Sequence, residues 1–238
     1  MTGLLESDAT STAHHANVKP FTVTPPVATK QGLALLISTL DQQATDHLVE
    51  GVARTVQATP SVRLGDLEAE VGTQPLDLVE TISYQELRES ASSAPSLELE
   101  FRSPTVFRSG RHEQTPFPVP KLVFGHFRAR WNAFAPEALA CDLAFDDLGL
   151  RVAEFEGRGV PFVDGHRRAG RLAEITFTGF VGKATFEAAS PGARPPALRW
   201  LHTLARFAAF CGTGANTTIG MGATRYRQAE AGTGRGQT

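Results

Sequence analysis

The stretch RFAAFCGTGANTTIGMGATRYR, residues 206–227, sets Gly212, Gly214, Gly220 and Gly222 between an apolar run and a short basic tail. The apolar run reads as a helix ending at Cys211, and the tail as a strand carrying Arg225 and Arg227. Glycine admits positive φ and lets a ligand approach the backbone. Successive backbone N–H groups in such a loop cradle anionic oxygens. The spacing fits neither the Walker A pattern nor a dinucleotide fingerprint, and both of those place the loop between a strand and a following helix. Here the order is helix, loop, strand. On glycine content alone, a helix C-cap followed by a turn accounts for the loop equally well.

Working outward, the helix over 197–211 has one face of Leu198, Leu201, Leu204, Ala205 and Ala208. Its other face carries Arg199, His202, Thr203 and Arg206 at spacings of three and four. The plain reading is a solvated face; the sharper one is a ridge of phosphate contacts leading to the loop. Upstream, 150–164 and 171–187 are extended segments rich in β-formers. Gly179 and Gly182 predict a bulge or a close backbone approach. His166, Arg167, Arg168 and Arg171 form the basic hairpin HRRAGR. Lys121–Phe134 is a helix with Leu122, Gly125, Phe127, Trp131 and Phe134 inward and Arg128 and Arg130 outward; His126, Trp131 and Trp200 read as structural. Leu97, Leu99 and Phe101 alternate as a half-buried strand. Residues 91–238 therefore read β α β β α β, a complete ferredoxin-like (RRM-like) unit closed by the glycine-rich loop.

Residues 1–90 carry less. Positions 1–16 are small, polar and unpatterned. Pro20, Pro25 and Pro26 limit 18–29 to an edge or bulged strand, and LALLISTL (33–40) is an apolar run of strand length. Asp41–Thr59 is an amphipathic helix with Ala44, Leu48, Val52 and Val56 on one side. Residues 61–76 alternate and contain Gly65, so they form a strand or a hairpin. The order β, β, α, β gives an incomplete ferredoxin-like unit. The fold class is α+β, two such units in tandem, joined by a polar segment over 82–95.

The chain has 238 residues, 41 % hydrophobic and 20 % charged, enough for a globular core. No apolar run reaches membrane-spanning length, and the start shows no basic and apolar signal pattern, so a cytoplasmic protein is expected. Cys141 and Cys211 lack metal-ligand spacing and suit a reducing compartment; no metal or other cofactor is expected. The net charge of −2 hides an asymmetry. Residues 1–96 hold 5 Lys and Arg against 12 Asp and Glu, a balance of −7; residues 97–238 hold 18 against 13, a balance of +5. Sixteen of those eighteen are arginine, which pairs with phosphate bidentately and stacks on bases.

The segment FCGTGANTTIGMG (210–222), following an apolar helix at the end of a ferredoxin-like unit, resembles the C-terminal glycine-rich loop of the CRISPR repeat-processing endoribonucleases of the RAMP superfamily. KPFTVTP (19–25), LEFRSPTVFRSGR (99–111), PFPVPKLVFGHFRARWNAFAP (116–136) and FTGFVGKATF (177–186) resemble further segments of that family, in the family's order. The resemblance covers about residues 14–227. It implies two ferredoxin-like units side by side, binding to CRISPR precursor RNA and cleavage within each repeat. Members usually carry an opening strand and helix ahead of this point, which the chain is expected to lack, so the first unit is expected to be poorly stabilised.

The implied chemistry needs no metal: a ribose 2′-OH attacks the adjacent phosphorus, leaving a 2′,3′-cyclic phosphate and a 5′-OH. Such a step wants an acid or base that titrates near neutrality, hence histidine, and donors for the charge growing on phosphate. In the family a His precedes the K-P-F-T segment. The resemblance thus nominates His15, with His14 the alternative, as acid–base group and Lys19 as phosphate stabiliser. A family tyrosine that assists has no counterpart at Tyr84 or Tyr226. RNA contacts are expected from Arg108, Arg111, Arg167, Arg168, Arg171, Arg199 and Arg206, and from Gly212, Gly214, Asn216, Thr217, Thr218, Gly220 and Gly222. RNA hairpins are read largely by shape and backbone, which suits an arginine-rich hairpin. The alternative is a catalytically inactive RNA-binding subunit. Expected partners are CRISPR repeat RNA, as precursor and crRNA; homodimers and association with other CRISPR effector subunits both occur among relatives, and no membrane is involved.

Overall fold

The computed structural model describes residues 18–30, 32–58, 61–64, 67–70, 72, 77–108, 114–168, 171–190 and 193–228. His14, His15 and Arg111 lie outside them, and Arg167, Arg168 and Arg171 are described by backbone alone.

The first half opens with β1 (Phe21–Val23), β2 (Val27–Thr29), β3 (Gly32–Ala34) and β4 (Ile37–Thr39). β1 pairs antiparallel with β4 and β2 with β3. Each of the two strands expected from sequence is therefore broken in two. Pro25 and Pro26 stand at the break and have no N–H to give the ladder. The register also slips by one residue across them, from Phe21 opposite Thr39 to Val27 opposite Ala34. Helix α1 (Gln42–Ala58) follows, with Asp41 Oδ1 accepting the Ala44 amide at 2.7 Å. β5 (Ser61–Leu64) and β6 (Leu67–Glu70) make a hairpin, the second of the two readings offered for 61–76. Burial here is thin. Among the described residues of 18–58, only Thr22, Val23, Leu40 and Gly51 are buried, and Val27, Leu33, Leu36, Val49 and Val56 are exposed.

A short helix α2 (Tyr84–Glu89), closed by a Ser83–Glu86 capping box, leads into the larger half. That half comprises β7 (Ser96–Thr105), β8 (Phe107–Arg108), β9 (Gln114–Thr115), α3 (Pro120–Phe134), β10 (Leu150–Arg168), β11 (Arg171–Ala188), α4 (Pro195–Cys211) and β12 (Thr224–Gln228). One antiparallel sheet runs β10-β11-β7-β12. β7 is central, and its period of two buries Leu97, Leu99 and Phe101 and continues to Ser103 and Thr105. α3 and α4 pack against each other and the sheet, enclosing Phe124, Phe127, Trp131, Phe186, Leu201, Leu204 and Phe207. The β11–β7 register shifts between Phe180 and Gly182. A Cβ on Gly182 would lie 2.1 Å from the Glu156 carbonyl oxygen and one on Gly179 2.6 Å from the Thr105 nitrogen, so both glycines mark close backbone approaches. Beyond the Gly159–Phe180 pair, β10 and β11 form, among the described residues, a two-stranded arm tipped by Arg168 opposite Arg171.

Two expectations about helix faces are corrected. His202 and Thr203 are fully buried, because α4 meets α2, α3, β1, β4, β7 and β12 and has little solvated face. His202 Nδ1 lies 2.9 Å from the Tyr226 hydroxyl and its Nε2 2.9 Å from the Ala94 carbonyl. Arg130, expected outward, is only 8 % exposed and donates from Nη1 to the Cys211 carbonyl at 3.0 Å.

Candidate functional site

The glycine loop turns on left-handed backbone. Gly212, Gly214, Gly220 and Gly222 have φ of +64°, +79°, +101° and +72°, and Asn216 has +61°. Its shape is pinned to the end of β7: Ala215 N–H donates to Val106 O at 2.8 Å, Gly222 N–H to Pro104 O at 3.0 Å and Ala223 N–H to Ser103 Oγ at 2.8 Å. Thr213 N–H closes the loop on Gly222 O at 2.8 Å. Side chains at two of the glycines are sterically barred. A Cβ on Gly222 would sit 2.1 Å from Thr213 O, and one on Gly214 2.4 Å from Val106 O. Thr217–Ile219 then form a single 3-10 turn, and amides that open a helical turn have no partner within it.

Beside this loop lies a cleft of about 910 Å³, bounded by α3, the loop, β8 and the start of the first half. Lys19, Arg108, Lys121, Arg128 and Arg130 line it, against one carboxylate, Asp146. Gly214, Asn216, Thr217 and Thr218 form its loop wall. Gly125 and Ala129, at helical spacing of four, leave the α3 backbone open to it; a Cβ on Gly125 would meet nothing within 4 Å. The cations are held differently. Arg128 donates to Leu143 O at 2.7 Å and lies over the Phe145 ring. Lys121 is 3.7 Å from Asp146 with both side chains largely in solvent, which makes a weak pair. Arg108 Nη2 reaches Asn216 Oδ1 at 3.5 Å. Burial lowers the Lys19 ammonium from its ordinary value.

His126 also lines the cleft, its Nε2 buried and without a hydrogen-bond partner. Burial, and then the Arg130 guanidinium, hold its pKa down to about 3, partly offset by the Gly212 carbonyl. The imidazole is therefore neutral at physiological pH and is no proton source. Among the described residues, no group of three or more His, Cys, Asp or Glu side chains could hold a metal ion.

The cleft thus brings together Lys19, Arg108, Gly214, Asn216, Thr217 and Thr218 of the residues singled out in the sequence. Gly212, Gly220 and Gly222 shape the loop rather than line the cleft. Arg199 and Arg206 are elsewhere. Arg206 turns to α2, donating to Ser90 Oγ at 2.5 Å, and Arg199 lies near Arg88, which covers the Trp200 ring. The backbones of Arg167, Arg168 and Arg171 are at the tip of the β10–β11 arm. Lys121, His126, Arg128 and Arg130 escaped notice as a set. Their signal is a helix with basic or imidazole groups four apart, at 126 and 130, beside the small residues 125 and 129.

The family model of the CRISPR-associated endoribonuclease Cas6 matches residues 99–224. The CRISPR-associated endoribonuclease Cas6 of Mycobacterium tuberculosis (strain CDC 1551 / Oshkosh) is 23 % identical over 225 residues, covering 94 % of this chain and 68 % of that protein. Among solved structures, a Cas6 product complex aligns with a TM-score of 0.71 and 26 % identity over 95 % of this chain and 90 % of that one. A Thermus thermophilus Cas6 aligns with a TM-score of 0.61 and 24 % identity, over 95 % and 86 % of the two chains, a likeness of fold.

Proposed function

The match over residues 99–224 takes in more than half of the sequence, so the chain belongs to the CRISPR-associated endoribonuclease Cas6 family, and we propose that it cleaves CRISPR precursor RNA within the repeats by a metal-independent transesterification. A general base takes the proton of a ribose 2′-OH, the oxygen attacks the adjacent phosphorus, and the O5′ leaving group departs with a proton. The products are a 2′,3′-cyclic phosphate and a 5′-OH. His15, or His14 in its place, is the proposed acid–base group, four or five positions before Lys19. Lys19 stabilises the charge that grows on the phosphate oxygens, where a fixed donor is worth most. Arg108 and the amides of residues 214 and 216–218 hold the neighbouring backbone, and the basic arm holds the repeat hairpin. We read residues 91–238 as the complete ferredoxin-like unit and 1–90 as its incomplete companion.

One observation carries this reading. Lys19 stands almost two hundred residues before the glycine loop, yet both line one cationic cleft in a chain of net negative charge. The test is incubation with the cognate repeat RNA in EDTA, followed by analysis of the product ends. Cleavage to cyclic phosphate is expected, and its loss in EDTA would contradict the mechanism. Tight binding without cleavage would select the alternative, a catalytically inactive RNA-binding subunit of a CRISPR ribonucleoprotein complex. Ala at His15 and at His14 in separate variants then identifies the acid–base group.

A further inference from the structure

The glycine loop follows the C-terminus of α4, the end of a helix dipole that repels anions. Cys211 and its neighbours present carbonyls that have no partner within the helix. An anion site in such a place needs something to reverse the sign of that end. The structure offers one buried cation there. Arg130, on α3, donates to the Cys211 carbonyl at 3.0 Å and is one of the residues that line the cleft. The Cys211 thiol and the Tyr84 hydroxyl are close to the same helix end, as is His126, one turn earlier on α3. His126 is neutral, with an unpartnered Nε2 inside the cleft wall. On its other side the loop is held from β7 and Val106 through the amides of residues 215, 222 and 223, and from β8 through Arg108 and Asn216.

We propose that Arg130 is a positioning residue of the RNA site: it caps the negative end of α4, fixes residues 212–222 from the α3 side, and so makes a loop at a helix C-terminus hospitable to a phosphodiester. This rests on the RNA-cleaving function proposed above. Lysine in its place keeps the charge with a different donor geometry. Glutamine keeps an N–H donor without the charge. The inference therefore separates the two.

The experiment compares wild type, Arg130→Lys and Arg130→Gln, with Lys121→Gln as a control for loss of an exposed cation at the rim. Binding of the cognate repeat RNA is titrated at low and high salt, and amide exchange of residues 212–222 is measured without RNA. Arg130→Gln is expected to weaken binding roughly ten- to thirtyfold, the scale of a partly buried charge at a helix terminus, with the deficit persisting at high salt. Arg130→Lys is expected to bind within roughly threefold of wild type, and the Lys121→Gln deficit to fade as salt screens it. Loop exchange should quicken in both Arg130 variants while β7 stays protected. Equal binding by the Lys and Gln variants, whether both normal or both weakened, would overturn the proposal. If wild type binds no repeat RNA, the RNA function falls, and loop exchange alone then decides: unchanged exchange in both variants removes the role given to Arg130.

Discussion

The imidazole of His202 is wedged between the Tyr226 hydroxyl, 2.9 Å from Nδ1, and the Ala94 carbonyl, 2.9 Å from Nε2. The carbonyl can only accept, so Nε2 carries a proton. Burial lowers the His202 pKa from its ordinary 6.5, which favours the neutral ring, and in that ring Nδ1 accepts from tyrosine. His126 is lowered further, to about 3. Both groups bind fewer protons folded than unfolded, so the stability they confer is present above pH 6.5 and is lost as pH falls below it. The urea midpoint should drop between pH 7.5 and 5, and drop less in a His126→Asn variant. A flat midpoint over that range would show that neither ring is held neutral by the fold.

Gly222 and Gly125 make a contrasting pair. A methyl at Gly222 meets the Thr213 carbonyl oxygen at 2.1 Å with φ at +72°. Gly222→Ala should therefore destabilise by roughly 2–4 kcal/mol, combining left-handed strain with overpacking. At Gly125, inside α3, a methyl meets nothing, so Gly125→Ala should stabilise by about 0.5–1 kcal/mol through helix propensity alone. Chemical denaturation of the two variants checks both signs.

Lys19→Ala and Arg108→Ala should each weaken repeat RNA binding and flatten its salt dependence. For single-stranded RNA, loss of one phosphate contact lowers the slope of log K against log salt by about 0.7. Fluorescence anisotropy across a salt series measures this. An unchanged slope in both variants would remove these residues from the phosphate path.

Among the described residues, the arm of β10 and β11 has no third strand past Gly159 and Phe180. Replacing Arg167, Arg168 and Arg171 together by Gln should cut RNA affinity while leaving stability within about 0.5 kcal/mol, because their backbone lies at the tip of the arm, beyond the four-stranded sheet. Binding and melting curves on one preparation separate the two effects.

The order of elements in residues 96–228 was legible because β7 alternates cleanly, the helices carry apolar faces and prolines mark their starts. The loop was legible only in company with the other segments that resemble the same family, because four glycines alone fit a helix C-cap and turn equally well. What stayed hidden depends on distance in the chain. Nothing local says that Arg130 will find a carbonyl eighty-one positions away, or that His202, with basic neighbours in sequence, will face Tyr226 and Ala94. The periodicity of α4 suggested a polar side, but this helix is covered nearly all round, so polar groups there had to find buried partners. Pro25 and Pro26 limit a strand wherever they stand, but the register slip across them depends on the partner strand and is not written in the two prolines.

Thr22 Oγ1 donates to the carbonyl of Phe210 at 2.8 Å, across 188 positions of sequence, and β1 rests on the turn formed by Thr217–Ile219. β1 is therefore completed by elements that leave the ribosome almost two hundred residues after it. At ordinary synthesis rates the interval is roughly 10 to 40 s, during which β1 and β4 have no floor. A ribosome-bound chain halted before residue 195 should be open to protease at β1 and β4, and one extended past residue 228 should be protected there once α4 has formed.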